Sequence, residues 1–508
     1  MSVNFKRGCS IAALTVFLAP NAWADVSPQD VWSEWKSYME SSGYVVQASE
    51  SQKGDTLTVS DVSFDIAIPD LDGKVSMSLP DLALVDNGDG SVNVTTPEEF
   101  EVTFTIPTDD DTIEGVVAFR TDGAPVVVSG DPDDMSTRYE SEFNEFSLVK
   151  FSSKDEEIPA DAVKTAFIAK EILFDAQTKI GEQRNITQEG TIGSLSYDVS
   201  FKDPENENNF GSFVGELKDL AYIANSALPE KFDAANIFTS LRSGAAFDGS
   251  FTFGSGQNKV SGKDGSDEFE ATSSSQGGVF KFVLNEDTLV YDLIQNKSDV
   301  SVFASDLPLP IAFSADQIGM KLQMPTGVSE EDKDFGLGIT LKDFNVPEAI
   351  WAMADPTGTL PHDPASLVVD LTGKGRLLID VFDPDTAATA QVDDDVPALF
   401  NSVKINDLLL RAAGAELTGT GDFELDNADL ESYDGMPAPT GLAKLKLVGA
   451  NGLIDNLIKM GLMSESDAGG ARLMMGLLAV PGEGDDTLTS EIKFETGGKI
   501  IANGQRIK

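Results

Sequence analysis

One histidine, a single cysteine at position 9 and 85 carboxylates set the limits on the chemistry open to this chain. His362 lies in "TLPHDPAS", a turn bounded by prolines. A Ser-His-Asp relay through it would need a nucleophile elbow elsewhere, and no such motif occurs. We read it as a turn histidine. A histidine-rich metal site is ruled out by the count alone. "VDNGDGSVNV" has the look of a calcium loop. Aligning Gly90 with that loop's invariant glycine, however, puts Val85 at the first ligand position, so it reads as a hairpin turn. Paired carboxylates of the glycosidase kind carry no signal, because with 85 acids some pair falls within range by chance. No phosphate loop or dinucleotide fingerprint is present. The Asp-Pro steps at 131–132, 203–204, 355–356, 363–364 and 383–384 read as turns. We therefore assign no catalytic, cofactor-binding or metal-ligating residue.

Charge and the first residues speak to compartment. "MSVNFKRG", the apolar run "CSIAALTVFLAP" and the A-x-A-like "NAWA" read as a signal peptide over residues 1–24, cleaved after Ala24. The apolar run is shorter than the ~20 residues a membrane span needs, and no later stretch reaches that length. Cleavage would remove Cys9, leaving an exported chain without thiols or disulfides, which fits a bacterial periplasm. It would also remove Lys6 and Arg7, taking the net charge from −49 to −51. Such a surface repels nucleic acid and anionic headgroups. We read it as adaptation to a saline compartment, with a polycation or divalent-cation partner as the alternative.

Periodicity sets the fold class. "SPQDVWSEWKSYMESSGY" predicts an amphipathic helix with Ser27 as cap and Val31, Trp32, Trp35 and Met39 on one stripe, docked on a sheet. From Asp55 to about Phe151 the period is two, with Asp, Gly, Asn and Pro turns, which predicts an antiparallel meander. "ADAVKTAFIAKEILFDAQTKIGEQ" combines helical and strand features and stays open. Near the end, "GANGLIDNLIKMGLMSESDAGGARLMMGLLAVPGEG" predicts two short helices within 451–479. Leu473, Met474, Leu477 and Leu478 stripe the second, and its methionines read as core filler, with a lipid-facing pair of helices as the alternative. A hairpin turning at Gly497-Gly498 closes the chain. The expected fold is α+β, predominantly β: curved antiparallel sheets in two related halves, 25–235 and 236–508, with flanking helices. A soft boundary falls in 228–246.

One pattern recurs. "LTVSDVSF", "MSLPDLAL", "VFASDLPL", "ITLKDFNV" and "VKINDLLL" all read apolar-x-apolar-x-Asp-apolar-x-apolar, and "GELKDLAY" and "FELDNADL" come close. Composition alone would scatter about one or two such matches. An unpaired carboxylate turned inward would cost several kcal/mol. One extra residue at the aspartate instead swaps the faces of all that follows. We read the motif as a bend that resets the alternation, with a row of calcium-binding aspartates as the rival. "FGSFVGELKDLAYIANSALPEKF" and "FGLGITLKDFNVPEAIWAMADP" also resemble each other, as a duplicated strand–helix–strand unit.

The W-x3-DP-x-G-x-LP-x-DPA-x-L core of "IWAMADPTGTLPHDPASLVVDLTGKGRLLIDVFDP", with "SDLPLPIAFSADQIGMKLQMP" before it and "GLAKLKLVGANGLIDNLIKMGLM" after, resembles the domain of unknown function 2125 family of alphaproteobacterial exported proteins. The likeness is strongest from about residue 290. His362 stands where that resemblance leads us to expect a basic residue such as arginine. It brings no activity and no catalytic residues. More weakly, the short strands with Asp bends look like AsmA-like envelope proteins, whose curved sheets handle lipid in an apolar groove. By analogy this implies a non-enzymatic periplasmic envelope protein holding lipid or another hydrophobic ligand. The alternatives are an acidic scaffold for a protein partner or divalent cations, and a carboxylate-dependent hydrolase.

Overall fold

The structure is a computed structural model that describes residues 25–67, 74–107, 112–153, 156–157, 159, 162–206, 208–233, 236–380, 382 and 397–508. The expected leader at 1–24 and the Asp-Pro step at 383–384 lie outside the described residues. Period-two segments dominate the chain, and among the described residues all 28 strands join one sheet whose strand pairs are antiparallel. It starts at Val45–Lys53, passes through Thr56–Ala67 to the long strands Asp134–Ser153, Val163–Ile180, Gln183–Lys202 and Phe210–Pro229, and ends in the hairpin Thr487–Glu495/Lys499–Ala502. Beside some long strands the chain turns back halfway, so two short strands share one long neighbour. Phe210–Pro229 pairs with Ser255–Asp264 along one half and with Ala246–Phe253 along the other. The sheet thus runs unbroken across the expected boundary near 228–246, where the helix Ile237–Arg242 sits. No helix is long and apolar enough to cross a membrane, among the described residues.

The recurring aspartates are where strands bend or stop. Asp61, Asp219 and Asp343 adopt left-handed backbone (φ 52°, 53° and 51°) inside strands, a conformation that Asp tolerates better than most side chains. Ladder register slips beside Asp61, Asp343 and Asp407. Asp81 falls between the strands Lys74–Ser78 and Leu82–Asp86, Asp306 follows the strand Leu289–Ala304, and Asn427 follows Ala415–Asp426.

Several of these bends line up across neighbouring strands. Glu171, also left-handed (φ 55°), stands between Glu142 and Gly193 on its two flanking strands, and Asp219 stands on the far side of Gly193. A Cβ on Gly193 would overlap the Glu171 carboxylate, and one on Gly254 would crowd that of Asp219. The line continues through Lys297 (φ 47°), opposite Asp316, to Asp343. On Phe210–Pro229 the apolar set is Phe213 and Leu217 before Asp219, then Leu220, Tyr222 and Leu228 after it. The phase change keeps both halves on one face.

The same slip explains two differences from expectation. The ambiguous "ADAVKTAFIAKEILFDAQTKIGEQ" contains the strand Val163–Ile180. Its jump at Glu171 breaks the alternation and imitates helical spacing. In the supposed duplication, Phe210–Pro229 runs on as a strand past Asp219, whereas Lys333–Phe344 stops and Pro347 leads into the helix Glu348–Ala354. The two copies therefore diverge after Leu-Lys-Asp. The calcium-like "VDNGDGSVNV" is a hairpin turn, with Asp86 accepting from the Gly88 amide and Asp89 from that of Ser91.

Replacing Asp219 with valine should cost about 1–2 kcal/mol, the penalty of a left-handed β-branched residue, while Asp219→Gly should be nearly neutral. Amide hydrogen exchange along Phe210–Pro229 would read the difference. Equal protection in both variants would contradict the bend as described.

Candidate functional site

The most extensive feature of the sheet is a cross-strand row of apolar residues. Register places Leu57, Leu84, Val94, Val126, Tyr139, Phe174, Gly190 and Tyr222 in line on successive strands. The line goes on through Phe251, Phe280, Leu293, Met320, Ile339, Val369, Leu408, Gly419 and Leu445. At about 4.8 Å per strand this row is roughly 75 Å long. A second line on the same face is a ladder of rings, Phe100, Phe119, Phe146, Phe167, Tyr197 and Phe213, with successive centroids 5.1, 5.9, 4.6, 6.5 and 4.9 Å apart.

A one-layer sheet has no partner for such a face. Among the described residues thirty hydrophobic side chains are buried and thirty large ones are exposed, so much of the apolar surface has no cover. In mid-row Met320 and Ile339 are 49% and 42% exposed, with Ile318, Leu322 and Leu337 beside them at 36–43%. Large uncovered apolar patches of this kind mark binding surfaces.

The ends of the row are covered. At the first, the helix Pro28–Ser41 is capped by Ser27 in a reciprocal box with Asp30. It buries Val31 and Trp32 against Leu57, Leu84, Val94 and Val128, each side chain contributing about 1.5–3 kcal/mol. Arg184 pins this helix with two hydrogen bonds to the Glu34 carboxylate, 2.7 and 3.0 Å, in a pair only 11% and 10% exposed. Arg184 also stacks over Tyr38, and Trp32 donates to Glu50. At the far end, the helix Ala450–Lys459 buries Ile454. The helix Glu465–Leu478 follows, capped by Ser464. The Leu478 carbonyl accepts from Ser490, the residue beyond Leu445 in the row. Contrary to the core-filler expectation for the methionines, Met474 is 53% exposed, and Leu473 and Leu477 beside it are 74% and 45% exposed. Helical spacing set the stripe, but no element among the described residues lies over it.

A cavity of about 940 Å³ lies on the opposite face of the sheet and not on the side of the apolar row. His362 belongs to a closed turn. Its ring stacks on Trp351, centroids 4.5 Å apart, and its Nδ1 lies 3.0 Å from both Glu348 carboxylate oxygens. Its Nε2 is 3.6 Å from the buried Asp355 carboxylate, beyond hydrogen-bond reach. The Glu348 hydrogen bond raises the histidine's pKa. Asp355 accepts from the Leu360 amide (2.6 Å), which with other donors holds its carboxyl down at about 2. Two acids facing one imidazole account for a cationic residue at this position. Every carboxylate with a resolved shift is pushed down. No group of three or more metal-binding side chains converges, among the described residues.

Fold and face together define a class: an open, single-sheet β protein with a long apolar face closed at both ends by helices. Residues 229–502, more than half of the chain, match the family described as an uncharacterised protein conserved in bacteria, DUF2125, and the chain belongs to it. Comparisons with curated proteins and with solved structures returned no match. The likeness to AsmA-like proteins thus gains no support from either.

Arg184→Ala strands Glu34 in a nearly buried position and should weaken helix docking by about 3 kcal/mol. Hydrogen exchange over Pro28–Ser41 should rise while the Ala450–Lys459 helix stays protected; a uniform rise would refute a local pin. The raised pKa of His362 means that its stabilisation is complete below about pH 6.5 and is lost as pH climbs through the folded-state value. An NMR titration of the imidazole should give a midpoint above 6.5, moved down by Glu348→Gln.

Proposed function

We propose that this chain is an exported, non-enzymatic cell-envelope protein that holds a lipid or similar hydrophobic ligand on its open apolar face. The observation that carries the reading is the uncovered middle of that face, around Met320 and Ile339, between helix-closed ends. A sheet face polar on one side and apolar on the other normally places the apolar side on a second layer. Here the ligand's acyl chains take the place of that layer. The ring ladder extends over five interstrand steps, about 24 Å. That exceeds one leaflet of a ~30 Å hydrocarbon core, long enough for a single acyl chain to lie along it. The strongly acidic surface favours zwitterionic or neutral ligands over anionic ones. The leader-like start supports an exported location.

Native mass spectrometry with lipid extraction, on protein purified from periplasm without detergent, tests this. A stoichiometric lipid is expected, with occupancy cut at least several-fold by Met320→Glu combined with Ile339→Glu. A clean apo mass that persists after incubation with envelope lipids would overturn the reading and favour an acidic interaction scaffold.

A further inference from the structure

The 940 Å³ cavity on the opposite face crosses the strands Gln183–Lys202, Phe210–Pro229, Ser255–Asp264, Asp267–Ser275, Leu289–Ala304 and Ile311–Met324. Its volume falls within the range of about 300–1,000 Å³ typical of small-molecule sites. Register sets its floor as a single row: Ser196, Glu216, Gln257, Ser274, Asp299 and Ser314. The two carboxylates of that row are three interstrand steps apart, roughly 14 Å. Between them lie only neutral side chains. Small or apolar residues, Val214, Thr272, Ala312 and Pro347, flank the row.

The charges around this floor are unevenly matched. Lys164 is paired with Asp198, and Lys259 with Glu270 at 2.8 Å. Glu216 has one partner, Lys218 at 3.1 Å, in a pair 39% and 51% exposed. Such an exposed pair is readily exchanged for a ligand's charge. Asp299 makes no ion pair among the described residues, and it stands directly between Ser274 and Ser314 on the adjoining strands.

We propose that this trough binds a linear aliphatic polyamine, one ammonium at Asp299 and another at Glu216, with the methylenes lying over Gln257, Ser274 and the flanking apolar residues. The spacing selects for length. A compact metal ion cannot bridge the two carboxylates, and a short diamine reaches only one. The net charge of −49 at pH 7 raises the local concentration of cations around the chain and assists capture. This site lies on the face opposite the apolar rows and does not depend on lipid binding there.

The test is calorimetric titration of the mature protein with spermine at about 0.15 M salt, where surface attraction is screened within ~8 Å. One saturable site is expected, weakened at least tenfold by Asp299→Asn and by Glu216→Gln. It should be unchanged in Glu189→Gln, which removes an acid beyond the bend line. 1,3-Diaminopropane should bind far more weakly than spermine and lose little further affinity in Glu216→Gln. Circular dichroism of each variant checks that the sheet is retained. Many weak sites, or a loss of affinity equal in all three carboxylate variants, would show general attraction to an acidic surface and overturn the proposal.

Discussion

The architecture depends on a parity constraint. In a β-strand each step turns the side chain to the other face, so a bend that consumes one residue exchanges the faces of everything beyond it. A single bent strand would scatter its apolar residues to both sides. The sheet avoids this because the bends align: Glu171, Asp219, Lys297 and Asp343 all take left-handed backbone, and Gly193 and Gly254 leave room for the neighbouring carboxylates. Every strand on the line changes phase together. For that reason the ring ladder on one side of the bend line and the apolar row on the other share one face.

From this follows an unusual distribution of burial. A globular domain covers its apolar face with a second layer. Among the described residues only the two ends are so treated, by the helix Pro28–Ser41 at one and by Ala450–Lys459 with Glu465–Leu478 at the other. The Arg184–Glu34 pair is suited to holding such a lid. Both groups are nearly buried, so either one alone would be a liability, and the lid stays down only in the register that satisfies both.

Much of this was legible in the sequence, for particular reasons. The bends could be read because Asp is among the few side chains that accept left-handed backbone, so the same letter recurs where the geometry recurs. Glu171 and Lys297 do the same work and escaped the pattern, because a motif written around Asp cannot see them. The strand Val163–Ile180 was ambiguous for the same cause. Arg184 and Glu34 lie 150 residues apart, and nothing local announces their meeting. Leu473 and Met474 show the opposite limit: spacing tells which side chains share a face, and only the tertiary arrangement tells whether anything lies against it. The role of His362 became clear once Trp351, Glu348 and Asp355 were placed around it.

The ladder also has a dimension that the rest of the chain leaves unconstrained. Each strand touches little beyond its two flanking strands, as in solenoids, where stability is close to a sum of local terms. A hairpin could be added or lost between the two lids without disturbing either one, provided that its residues respect the bend line. The span of the apolar face is thus set by strand number, not by core volume. A protein built this way can be lengthened or shortened like a ruler while its chemistry per unit length stays the same.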